Sequence, residues 1–187
     1  MKCITIFFIS FLTISLPFFC CCIHKNDTIE SFHYEIEVIN DNSEDYILYF
    51  PVPLLSRDNH PDEGKPTKLM KEIIVEYGTV QYSINDTIYG YAIEIKSNNN
   101  FKIMAHREIV NNEIDENDYV FGNFSMQSGD KNYSPYWIYF NSSLNQSIQI
   151  DFLSYWRSDP EDSEKYEWEL NNYQPITGWQ KKEFDRV

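Results

Sequence analysis

The chain has 187 residues, of which 42% are hydrophobic and 17% aromatic, and its formal net charge is −14. A chain of this length buries enough surface for one domain, and its aromatic content excludes general disorder. The negative charge would repel a phosphate backbone, which excludes nucleic acid as a partner; beyond that, the charge indicates solubility and no particular chemistry.

Residues 1–22 are predicted to be a signal peptide or a membrane anchor. Lys2 gives a positive start, and residues 3–23 then run without a charge, long enough as a helix to cross a bilayer. Pro17 interrupts that helix near its end, as is common before a cleavage site. We therefore expect an extracytoplasmic protein, anchored at the cell membrane or secreted, in which this segment is cleaved, lipidated or retained.

All the cysteines lie in this segment, so the rest of the chain has no disulfide and no thiol chemistry. Cys20, Cys21 and Cys22 end the apolar run as in a lipoprotein processing site, where a cysteine receives a diacylglycerol. Cys22 is the predicted lipidation site and Cys21 the alternative, although Phe19 stands where such sites usually carry Leu. The predicted membrane contact is this segment or a lipid attached to it.

Alternation of apolar and polar residues begins after this segment and predicts strands at 31–39 and 46–52. Residues 56–67 combine proline, glycine and charge and are typical of a surface loop. Residues 68–77 have helical spacing between Thr67, a candidate N-cap, and a glycine stop, which predicts a short helix. The β-branched residues inside that stretch also favour a strand.

The clearest hairpin joins residues 79–84 and 88–96, with residues 83–87 as its turn. Further strands are predicted at 101–110, 119–127, 136–141, 147–156 and 166–170, with a closing segment at 175–179. Eight or nine strands without β–α–β alternation predict an all-β fold, an antiparallel β-sandwich or jelly roll with at most one or two short helices. We expect the sandwich over residues 23–180 and a loose charged tail over 181–187.

The strings YILYFPVPL (residues 46–54) and IYGYAIEI (residues 88–95) resemble exported β-sandwich proteins of archaea that are uncharacterised. The resemblance covers two short stretches of the chain. It implies a surface sandwich, and it implies no activity and no site residues.

The pattern N-x-[ST], an acceptor for N-glycosylation, occurs roughly three times as often as the composition predicts. The sequons begin at Asn26, Asn85, Asn123, Asn132, Asn141 and Asn145. Because Asn, Ser and Thr also gather in turns, turn composition is the alternative explanation. We predict that the chain is a glycoprotein at one or more of these positions.

No recognisable phosphate-binding, nucleophile-elbow or zinc-protease motif occurs in the sequence. His33 and His106 could meet on a sheet face, although a solvated or hydrogen-bonded histidine is the simpler interpretation. In the acidic stretch 113–118, Asp115 and Asn117 have the first spacing of a calcium loop but lack its later Gly and Glu. We expect no cofactor, with calcium at these two residues as the alternative.

The tryptophans are the remaining candidates for ligand contact, because exposed aromatic rings offer binding area at low entropy cost. Trp137 and Trp156 lie within strong strands and are expected in the core. Trp168 and Trp179 lie nearer to loops, and we predict that they bind a ligand, as in the carbohydrate-binding modules built on β-sandwiches.

The missing motifs favour a non-catalytic, exported cell-surface protein, membrane-tethered, with a structural or interaction role. The first alternative is a carbohydrate- or ligand-binding sandwich module. The second is a hydrolase with two carboxylates in a cleft, although nothing selects a pair among the acids. The expected partners are the membrane and either carbohydrate or other envelope proteins.

Overall fold

The computed structural model describes residues 29–41, 43–56, 61–110, 121–128, 135–142, 148–158 and 166–186. Over these ranges the chain is an antiparallel β-sandwich, which confirms the predicted all-β fold. The N-terminal segment with Cys21 and Cys22 lies outside the described residues. Within them, no helix has the length and apolar character needed to span a membrane.

The strands in chain order are β1 (Ile29–Asn40), β2 (Tyr46–Pro51), β3 (Pro53–Leu55), β4 (Ile74–Tyr77), β5 (Val80–Thr87), β6 (Gly90–Ser97), β7 (Phe101–Val110), β8 (Phe121–Phe124), β9 (Tyr136–Ser142), β10 (Ile148–Ser158), β11 (Tyr166–Tyr173), β12 (Gly178–Lys182) and β13 (Asp185–Arg186). One sheet has the order β13–β11–β10–β1–β7–β4, and the second has the order β12–β9–β2–β6–β5. β3 and β8 form a separate pair.

The core lies between the two sheets and is built by strand alternation. The inward side chains of β1 and β2 are completely buried: Phe32, Tyr34, Ile36, Leu48 and Phe50. Each such burial stabilises the fold by about 1.5–3 kcal/mol. The Tyr34 hydroxyl donates to the Pro51 carbonyl at 2.8 Å, which ties β1 to the facing sheet. Burial raises the pKa of Tyr34 well above its ordinary value, so this donor stays protonated.

The short helix predicted over residues 68–77 forms only one 3₁₀ turn, Lys68–Lys71. The rest of that prediction is wrong, because residues 74–77 form β4 and pair with β7. Thr67 occupies the N-cap position but makes no side-chain capping bond. The β-branched residues after the turn prefer extended backbone, and this preference prevails over the helical spacing. Gly78 then ends β4 with φ 84, a conformation that favours glycine.

Of the residues predicted as a loose charged tail, 181–186 belong to the sandwich instead, and residue 187 lies outside the described residues. Lys181 and Lys182 lie in β12, and β13 pairs with β11. Between these strands Phe184 is only 9% exposed, and its ring stacks on Tyr136 with 4.6 Å between centroids. One apolar side chain among charged neighbours therefore anchors this end of the chain.

Candidate functional site

The β5–β6 hairpin turns at residues 88–89, not at residues 83–87 as predicted. Thr87 Oγ1 donates to the Gly90 carbonyl at 2.7 Å and accepts the turn's backbone N–H at 3.1 Å. Gly90 has φ 106, which favours a residue without Cβ. As a result Asn85 lies within a strand, on the outer face of the five-stranded sheet.

A row of paired side chains crosses this outer face from one edge of the sheet to the other. From β5 through β6, β2 and β9 to β12, the register gives Ser83, Glu94, Tyr49, Tyr139 and Trp179. These residues alternate with the core-facing residues of the same strands, as the pleat requires. At about 4.8 Å between neighbouring strands, the row is roughly 19 Å long.

Two further aromatic side chains join the row, Tyr89 from the turn and Trp137 from β9. Their rings stack with centroids 4.2 Å apart and an interplanar angle of 17°. The Trp179 centroid lies 4.8 Å from that of Tyr89, 5.0 Å from that of Tyr139 and 5.9 Å from that of Tyr49. The five aromatic side chains on this surface are all half-buried, so each keeps some exposed surface: Tyr49, Tyr89, Trp137, Tyr139 and Trp179. We call these five residues the aromatic face.

The aromatic face borders an open depression with a volume of about 680 Å³. Its lining consists of Ile47, Tyr49, Tyr139 and Trp179 from the sheet and Asn85, Asp86, Thr87 and Ile88 from the hairpin. The depression thus combines apolar and aromatic surface with an amide, a carboxylate and hydroxyl groups. A mainly apolar lining with a few placed polar groups is typical of small-ligand sites.

Glu94 organises the polar side of the aromatic face and is only 9% exposed. Its carboxylate pairs with the Lys96 ammonium and accepts hydrogen bonds from Asn85 Nδ2 and the Tyr49 hydroxyl. These donors, Lys96 foremost, hold the pKa of Glu94 below its ordinary value. Partial burial, and then Glu94 itself, raises the pKa of Tyr49, so the tyrosine remains a neutral donor.

Of the tryptophans predicted to bind a ligand, Trp179 lies in the aromatic face and Trp168 lies in the core. Trp168 is 5% exposed, and its ring packs edge-on against Phe124 with 5.0 Å between centroids. Trp137, which was expected in the core, is half-buried on the outer face. Trp156 packs against the core and is half-buried. The surface pair is therefore Trp137 and Trp179, and the prediction for Trp168 is corrected to a core position.

Sequence reasoning missed Tyr49, Tyr89, Trp137 and Tyr139 as candidate ligand contacts. The sequence does carry a signal for this outward aromatic surface, because residues 136–140 are apolar at every position. In a strand with one solvent-exposed face, apolar and polar residues alternate. A strand that is apolar at every position must either be buried on both faces or carry aromatic surface outward.

His33 and His106 do meet on the outer face of the six-stranded sheet, with ring centroids 5.7 Å apart. His33 Nε2 lies 3.3 Å from Glu35 Oε2, and the His33 ring stacks on Tyr155 at 4.9 Å. The bond to His33, and then Lys102, lowers the pKa of Glu35. Among the described residues no group of three or more His, Cys, Asp or Glu side chains could hold a metal ion.

The remaining predicted sites divide between described and undescribed residues. Outside the described residues lie Asp115, Asn117, Asn26, Asn132 and Asn145. Asn123 lies in β8. Asn85 and Asn141 both lie in the five-stranded sheet, Asn85 in the edge strand β5 and Asn141 in β9. Asn85 lines the depression.

The strings at residues 46–54 and 88–95, on which the expected resemblance rests, form β2, most of β3 and most of β6. These strands carry Tyr49 and Glu94 of the row, and the resemblance itself stays an expectation. No family model, curated protein or solved structure matches the chain.

Proposed function

We propose that this chain is a non-catalytic, exported cell-surface protein that binds saccharide through its aromatic face. Export and tethering rest on the N-terminal segment, through the segment itself or a lipid on Cys22. Binding rests on one observation, the aromatic face and the 680 Å³ depression beside it. The interaction role that the sequence favours and the carbohydrate-binding alternative thereby become one proposal.

The chemistry of the face suits a sugar ring. The apolar C–H side of a saccharide packs on aromatic rings, and its hydroxyls need donors and acceptors at the rim. Here Trp179 and Tyr139 supply rings, while Asn85 and Asp86 supply polar groups at the hairpin side of the same depression. The roughly 19 Å length of the row suits several sugars in a chain more than a single one. The net charge of −14 disfavours an anionic polymer, so a neutral saccharide is the proposed ligand class.

The test is a titration of the full chain with neutral oligosaccharides, in which binding is measured by isothermal calorimetry or by tryptophan fluorescence. Trp179→Ala should weaken binding about two- to tenfold, because one lost aromatic contact is worth about 0.5–1.5 kcal/mol. Trp179→Phe should retain part of the affinity, since a smaller ring can still stack.

Tyr77→Ala is the matched control, because Tyr77 is a 41% exposed tyrosine on β4 of the other sheet. It should bind as the unmodified chain does. The proposal is wrong if the unmodified chain binds none of the oligosaccharides, or if Trp179→Ala and Tyr77→Ala bind equally well.

A further inference from the structure

One glycosylation sequon coincides with the wall of the depression. Asn85, Asp86 and Thr87, which make up that sequon, all line it. We propose that an N-linked glycan on Asn85 lies over the aromatic face and controls the access of other saccharides to it. This inference rests on the saccharide-binding function proposed above and assigns the regulation of the same site.

The direction of the Asn85 side chain carries the inference. Its Nδ2 atom donates to the Glu94 carboxylate and lies 3.2 Å from Ser83 Oγ. Glu94 lies on β6, one strand nearer to the aromatic residues than Asn85 on β5, and its carboxylate also accepts a hydrogen bond from the Tyr49 hydroxyl. A sugar attached to Nδ2 therefore starts beside Glu94 and extends over the depression instead of away from the sheet edge.

The modification is a transfer from a lipid-pyrophosphate-linked oligosaccharide. Asn85 Nδ2 forms a bond to the anomeric carbon, the bond from that carbon to the pyrophosphate oxygen breaks, and the lipid pyrophosphate leaves with the electron pair. Nδ2 loses one of its two protons in the step, and the departing lipid pyrophosphate or solvent takes it up. The N–H that remains can still donate to Glu94 or to Ser83, so the modified side chain keeps a hydrogen bond in the sheet.

The glycan is within reach of the rings. Tyr49 lies two strands from Asn85 and Trp179 lies four strands away, which corresponds to about 10 Å and about 19 Å. A tethered sugar has an effective concentration in the millimolar range. If the face binds it with a Kd of about 0.1 mM, the affinity for a free sugar of the same kind falls about tenfold.

The experiment uses the full chain produced in a host that N-glycosylates exported proteins. Peptide mass mapping reports whether Asn85 carries a glycan, and acrylamide quenching of tryptophan fluorescence reports whether the aromatic face is covered. Compared with the glycosylated chain that keeps Asn85, Asn85→Gln should show stronger quenching and about tenfold tighter binding of a neutral oligosaccharide. Asn123→Gln is the matched control, because Asn123 heads a sequon in β8, outside the five-stranded sheet that carries the aromatic face; it should change neither measurement.

Asn85 itself lines the depression, so its substitution changes the wall as well as removing the glycan. Enzymatic trimming of the glycan from the chain that keeps Asn85 therefore provides a second measurement, and it should have the same effect as Asn85→Gln. The inference is overturned if Asn85 carries no glycan. It is also overturned if Asn85 is glycosylated but trimming leaves the quenching unchanged. If trimming increases quenching but no oligosaccharide binds, the proposed function fails and the position of the glycan stands. If oligosaccharide binds equally before and after trimming, the control of access fails and the proposed function stands.

Discussion

Glu94 shows how a single carboxylate can lie buried in the outer face of a sheet. Lys96, Asn85 and Tyr49 supply the donors that replace its hydration, and this favours the ionised form. Its folded pKa is therefore below the unfolded one, so it stabilises the fold at neutral pH. That contribution is lost as the pH falls through the folded pKa.

The first prediction concerns this linkage. Glu94→Gln should be less stable than the unmodified chain at pH 7, and the difference should shrink as the pH falls below the ordinary carboxyl pKa of 4.5. Urea denaturation at pH 7 and at about pH 3 measures both free energies of unfolding. Glu183→Gln, at an exposed position between β12 and β13, is the control. A stability difference that stays constant with pH contradicts the prediction.

The second prediction separates the two tryptophans that the sequence grouped together. Trp168→Ala should reduce the free energy of unfolding by about 3–5 kcal/mol, because it leaves a cavity in the core. Trp179→Ala should reduce it by only about 1 kcal/mol, since its ring is half exposed, while it lowers saccharide affinity. Denaturant titration of both variants decides the matter; equal losses would place Trp179 in the core and not in the aromatic face.

At the scale of elements, the positions of the strands follow from alternation because each core strand buries every second side chain. In β1 the apolar residues Phe32, Tyr34, Ile36 and Val38 take every second position and polar residues stand between them, so the inward face can be predicted. The sequence of β11 carries the same information, since Glu167 and Glu169 flank Trp168 and indicate that the indole points inward. This alternation is a stronger indicator of burial than the distance of Trp168 from a loop.

β9 shows why the candidate site could not be predicted in full. Both faces of this strand are aromatic or aliphatic, so local pattern does not decide between Trp137 with Tyr139 and Tyr136 with Ile138 as the buried set. The choice depends on pairing with β2 and β12, which are far away in sequence. Register between distant strands is a tertiary property, and the row on the outer face exists only because of it.

The third prediction tests the hairpin that positions Asn85. Gly90→Ala should cost about 1–2 kcal/mol of stability because a residue with Cβ is strained at φ 106. The added Cβ would meet only Met126 N at 3.5 Å, an ordinary contact, so the cost comes from the backbone. Thr87→Ser keeps the hydroxyl that bonds across the turn and should be nearly neutral. Thermal unfolding of the two variants measures the difference, and an unchanged melting temperature for Gly90→Ala would contradict this account of the turn.

At the scale of the whole molecule, the apolar segment before β1 and the acidic sandwich after it differ sharply in composition. The fourth prediction concerns the mass of the protein extracted from its native membrane. We expect a chain that begins at Cys22 and carries a diacylglycerol with further acyl mass, together with sugar increments. A chain that begins there without acyl mass contradicts lipidation, and a chain of full length supports a retained anchor instead.

β1 has a further consequence, because it lies between β7 and β10 at the centre of its sheet. The His33 carbonyl accepts the Ser154 hydroxyl at 2.7 Å across a separation of 121 residues. The strand synthesised first therefore gains its second neighbour only when most of the chain is present, and such long-range pairing folds slowly. Until then one side of β1 has no partner strand, so the strand order makes the six-stranded sheet complete itself only at a late stage of folding.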